Sequence, residues 1–63
     1  MTKRRDILRA IAQYAKDTGQ ELVIKEGANH TRIWVGDKYT TLGRHKEIDD
    51  LMADKIYKQI GVK

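Results

Sequence analysis

The sequence predicts an α+β fold of order α-β-β-β-α, a three-stranded antiparallel sheet with two helices on one face. Three observations predict it. Apolar residues recur at helical spacing near both ends of the chain, short β-prone runs fill its middle, and glycines separate one run from the next. With 63 residues and no repeat, linker or low-complexity tract, residues 1–63 read as one domain. A domain of this size buries only about 60% of the surface its unfolded chain exposes, so its stability is marginal and a partner would support it.

Ile7, Leu8, Ile11, Tyr14, Ala15 and Thr18 fall on one side of a helix over residues 3–18, with Thr2 placed to cap it and Gly19 to stop it. Leu22, Val23 and Ile24 form the first strand run. The turn at Gly27 leads to a second strand over His30 to Val35, and Gly36-Asp37 is a two-residue hairpin signal before a third strand over Lys38 to Leu42. After a Gly43 to Glu47 loop, Asp49 is a good cap for a second helix. Its Met52, Ala53, Ile56 and Ile60 line one side, and Gly61 ends it.

A two-residue turn at Gly36-Asp37 fixes the register. It sets Val35 opposite Lys38, Trp34 opposite Tyr39, Arg32 opposite Thr41 and His30 opposite Gly43, and opposed residues share a face. One face then carries Thr31, Ile33, Val35, Thr40 and Leu42, joined by Leu22 and Ile24 if the first turn is of even length. This face receives the helices. The other carries Val23, Lys25, His30, Arg32, Trp34, Tyr39 and Thr41, a basic and aromatic surface open to solvent and suited to nucleic acid. Trp34 and Tyr39 also read more simply as a cross-strand pair that stiffens a small sheet, worth about 0.5–1 kcal/mol.

Thirteen Lys plus Arg against nine Asp plus Glu leave a formal charge of +4, which favours a polyanionic partner. The cations gather at Lys3, Arg4, Arg5 and Arg9, at Lys25, Arg32 and Lys38, and at Arg44, His45 and Lys46. The absence of cysteine removes disulfides and thiolate metal sites, and the absence of serine, together with the lack of a glycine-rich phosphate loop, removes further enzyme classes. No stretch reads as a signal peptide or membrane span, so the expected location is cytoplasmic. His30, His45 and Glu47 or Asp49 lack recognisable metal-ligand spacing.

The pairing of His30 with Gly43 brings Arg44-His45-Lys46 beside His30. A phosphate held there meets a proton-transfer group and fixed positive charge together. RNA cleavage needs a base for the 2′-hydroxyl, an acid for the leaving oxygen and stabilisation of the charged phosphorane, and groups able to supply these are present.

The element order, Gly27-Ala28-Asn29-His30, the following hairpin, Arg44-His45-Lys46-Glu47-Ile48 and the ending Ile56-Tyr57-Lys58-Gln59-Ile60-Gly61-Val62 together resemble the HicA family of toxins, small messenger-RNA interferases. The resemblance spans nearly the whole chain. It implies a fold similar to a double-stranded-RNA-binding domain, a catalytic turn histidine falling on His30, no metal or other cofactor, and neutralisation by a HicB-like antitoxin. On that reading Lys25, Asn29, Arg32, Arg44, His45 and Lys46 contact RNA, and Trp34 and Tyr39 anchor the protein partner. The chain departs from the family pattern in carrying no proline before the second helix and in entering that helix through Asp49-Asp50-Leu51. The alternative reading is a non-catalytic RNA-binding or antitoxin-docking module of the same fold.

Overall fold

The computed structural model describes every residue, Met1–Lys63. Its elements run β1 (Thr2–Lys3), α1 (Arg4–Thr18), β2 (Leu22–Glu26), β3 (His30–Val35), β4 (Lys38–Gly43), β5 (Glu47–Ile48) and α2 (Asp50–Ile60). Strands β2, β3 and β4 form an antiparallel sheet in chain order, and β1 pairs antiparallel with β5 in a separate two-stranded ribbon. This is the α+β class with the expected main order. No helix is long and apolar enough to cross a membrane.

The hairpin register follows the turn chemistry: Val35 faces Lys38, Trp34 faces Tyr39, Arg32 faces Thr41 and His30 faces Gly43. Gly36 makes that turn with φ at +60°, where an L side chain is strained, and a Cβ there would also meet Gln20 Oε1 at 2.5 Å. The first turn has the even length that places Leu22 opposite Val35 and Ile24 opposite Ile33.

On the covered face Thr31, Ile33, Val35, Thr40 and Leu42 are all buried, against Ile7, Ile11 and Ala15 of α1 and Ala53, Ile56 and Ile60 of α2. Two polar side chains enter this layer, and both are satisfied. Thr40 donates from Oγ1 to Gln59 Oε1 at 2.6 Å, and Thr31 donates to Glu26 Oε1 at 2.5 Å.

Three expectations are corrected. Thr2 does not cap α1: it is extended and paired with Ile48, its hydroxyl donates to Asp50 Oδ1 at 2.8 Å, and the N-cap position falls on Lys3 with no side-chain cap bond. Ile24 shares the helix-facing side yet stays 45% exposed, because β2 is the edge strand and the helical layer does not fully cover it. Met52 is 51% exposed on the flank of α2, whose buried stripe is Ala53, Ile56 and Ile60. Asp49 caps α2 as expected, accepting from the Leu51 N–H at 3.2 Å, and Gly19 and Gly61 close the helices in left-handed conformations.

Ile33 lies on the central strand with no exposed surface, so Ile33→Ala opens a cavity beneath both helices. The expected cost is about 2–5 kcal/mol, a large share of the stability of a small domain, read as a lower urea midpoint with an unchanged m-value. A loss below about 1 kcal/mol contradicts this placement of the core.

Candidate active site

His30 opens β3 and is exposed, and Gly43, its partner across the hairpin, carries no side chain to cover it. The turn before it is tight. The Gly27 N–H donates to the His30 carbonyl at 2.8 Å, and a Cβ at position 27 would lie 3.0 Å from that oxygen, so a larger residue would need the carbonyl to give by a few tenths of an ångström.

The turn is then tied to the other end of the hairpin. The Arg44 guanidinium donates to the Gly27 carbonyl at 2.8 Å and lies 3.7 Å from Glu26 Oε2. Arg4, at the start of α1, donates to the Gly43 carbonyl at 3.2 Å, to Glu26 at 3.4 Å and to the Thr31 hydroxyl. Its backbone N–H donates to the Lys46 carbonyl at 2.9 Å. Glu26 therefore gathers Arg4, Arg44 and Thr31, and through them α1, the His30 turn and the 44–46 loop hold one another. Donation from Thr31 is the largest influence on Glu26 and, with the Arg44 and Arg4 charges, holds its carboxyl below the ordinary value of 4.5, although partial desolvation pulls the other way.

Two hollows meet at His30. One, a groove of about 660 Å³, runs from Asn29 and His30 past His45 to Asp49, with Met52 and Ile56 of α2 forming an apolar wall. A Cβ at Gly43 would lie 3.6 Å from His45 Cδ2, so the second imidazole rests against His30's own cross-strand partner. The other hollow, about 340 Å³, lies on the open sheet face and is bordered by Asn29, His30, Arg32, Tyr39 and Thr41. His30, His45, Glu47 and Asp49 share the groove, but no three His, Asp or Glu residues come together closely enough to hold a metal ion.

The expected site residues divide by what they already touch. Arg32 and Lys25 are cross-strand partners, both exposed and neither in an ion pair, so two like charges face each other on a strand pair where they repel. An anion between them relieves that repulsion. Arg44 is spent on Glu26 and Gly27, which makes it a positioning residue for the turn. Lys46 and His45 are exposed, and Asn29 borders both hollows. Trp34 and Tyr39 pack together with ring centroids 5.1 Å apart and a tilt of 40°, Tyr39 remaining 45% exposed.

Sequence reading missed Arg4, whose contacts organise the site from the far end of the chain. The cationic run Lys3-Arg4-Arg5 was its visible signal, but only the pairing of β1 with β5 separates the inward Arg4 from its outward neighbours.

Because folding lowers the Glu26 pKa, the unfolded chain binds more protons below pH 4.5, and the contribution of this cluster to stability fades as pH falls through the folded value. The urea midpoint is expected to drop between about pH 5 and pH 3, and to drop less in Glu26→Gln, which has no charge to lose there. Parallel curves for the two proteins contradict the role given to Glu26.

Set against family models, curated proteins and solved structures, the chain matches none.

Proposed function

We propose that this chain is a metal-independent endoribonuclease of the messenger-RNA interferase class, the toxin of a toxin-antitoxin pair, similar to the HicA family in the residues set out above. The observation that carries the reading is the position of His30. It is an exposed imidazole at the junction of two hollows, with Arg32 beside it on the open face and His45 beside its partner Gly43 in the groove.

The chemistry assigns itself by atom. A phosphodiester is held by Arg32 and Lys25, and a His30 ring nitrogen takes the proton of the neighbouring 2′-hydroxyl. The 2′-oxygen attacks phosphorus, the bond to the 5′-oxygen breaks, and that oxygen leaves with a proton supplied by His45 or water. The products are a 2′,3′-cyclic phosphate and a 5′-hydroxyl. Fixed positive charge is useful because the phosphorane carries more negative charge than the ground state. Arg44 serves by holding the Gly27–His30 turn.

A second reading has an observation in its favour. Neither imidazole receives or gives a hydrogen bond within the chain, so no protein group fixes its tautomer, as suits an RNA-binding module without catalysis. The HicB-like antitoxin fits the open face in either case. Tyr39 and Trp34 supply aromatic anchors, and Lys25 and Arg32 suit an acidic partner. The reaction belongs to the cytoplasm, where messenger RNA is translated.

His30→Ala is expected to lower RNA cleavage by about 100-fold or more while leaving RNA binding and the circular dichroism spectrum intact. Cleavage by the unaltered protein is expected to persist in EDTA and to leave cyclic-phosphate ends. Near-normal cleavage by His30→Ala sinks the catalytic assignment. RNA shifted by the unaltered protein but never shortened selects the binding module.

A further inference from the structure

On the α1 side of the Arg44 tie lies a third hollow, of about 640 Å³, lined by Lys3, Arg4, Arg5, Arg44, Lys46 and Glu47 and by no apolar residue. Its cations come from two segments about forty residues apart in the sequence, Lys3 to Arg5 and Arg44 to Lys46. The β1–β5 ribbon joins them, with Lys3 opposite Glu47 and the Arg4 N–H bonded to the Lys46 carbonyl at 2.9 Å.

Two of the five cations are already neutralised, Arg4 and Arg44 by Glu26. Lys3, Arg5 and Lys46 are exposed and form no ion pair, and Glu47 is the one carboxylate in the lining. Lys3 and Arg5 also stand at the positive end of α1, whose dipole disfavours them. On α2, by contrast, Asp54 takes both Lys58 at 3.3 Å and Lys63 at 2.6 Å; what marks Lys3, Arg5 and Lys46 is that three unpaired cations line one hollow. Charge left unpaired and converging in a concave polar hollow is the arrangement that holds an anion.

We propose that Lys3, Arg5 and Lys46 form a second phosphate site, which takes the backbone of the RNA strand beyond the phosphate cleaved at His30. The inference rests on the proposed function for its ligand. Arg44 and Glu47 line both this hollow and the His30 groove, so the two adjoin across these two residues and a single strand passes from one to the other. The site holds phosphate and reads no base, so it adds affinity equally for all sequences.

The test uses the intact chain, isotopically labelled for NMR, and a 12-nucleotide 2′-O-methyl RNA, which cannot be cleaved by its own 2′-oxygen. Amides of Lys3, Arg5 and Lys46 are expected to shift together with those of residues 29–32, and inorganic phosphate at high concentration to move the first three. Shifts at residues 29–32 alone overturn the second site and leave the proposed function standing. Shifts in the Lys3 hollow alone keep the second site and overturn RNA engagement at His30; shifts at neither overturn both. A response to inorganic phosphate but not to RNA overturns the assignment to an RNA backbone.

A charge-removal series supplies the energetic arm. Neutralising Lys3, Arg5 and Lys46 together is expected to weaken RNA binding at least tenfold and to reduce the slope of log affinity against log salt by about 2, three phosphate contacts on a single strand. Neutralising Lys16, Lys55 and Lys58 is expected to change the slope little. Equal losses in the two triple variants show diffuse charge and overturn the site.

Discussion

The Glu26 carboxylate is the constraint on which the site depends. It lies at the end of the edge strand, and the side chains that reach it come from α1, β3 and the loop after β4. Without it Arg4 and Arg44 would repel each other across the same turn, and the Gly27–His30 backbone would lose the guanidinium that holds its carbonyl. A charged network this exposed makes only a modest contribution to global stability, since solvent screens it, and that contribution is confined to the pH range in which Glu26 is ionised. Its importance is positional. It fixes where the His30 turn stands relative to Gly43 and the 44–46 loop, and with only 12 residues buried in the whole chain there is little apolar packing near the turn to do so instead.

The division of the cations follows from this geometry. Arg4 and Arg44 face inward to Glu26 and behave as structural members, while Lys25 and Arg32 on the open face and Lys3, Arg5 and Lys46 on the α1 side are left to solvent. A net charge of +4 says nothing about that distinction. The same total spread over ion pairs, as on the Asp54 side of α2, would leave no surface for a polyanion.

What the sequence made legible is what local rules control. The hairpin register was readable because a two-residue Gly-Asp turn admits one pairing, and from it followed the burial of Thr31, Ile33 and Leu42 and the meeting of His30 with Gly43. The cap at Asp49 and the glycine stops were readable for the same reason. What escaped was non-local. Two residues, Thr2 and Lys3, show no periodicity, and nothing near them announces a partner at Glu47 and Ile48. That ribbon displaced the expected Thr2 cap, turned Arg4 inward and built the hollow that Lys46 shares with Lys3 and Arg5. The hairpin register brings Arg44 to the groove that His30 lines, but its use as a brace for the Gly27 carbonyl depends on side-chain reach that spacing does not reveal.

The most direct measurement is a crystal structure of the unaltered chain with a 2′-O-methyl RNA. The result expected is a strand across the open face with a ring nitrogen of His30 within about 3 Å of one 2′-oxygen and the adjoining phosphate against Arg32. A strand bound elsewhere, with His30 facing solvent and the Arg32–Lys25 pair empty, contradicts the assignment of this turn histidine as the centre of the chemistry.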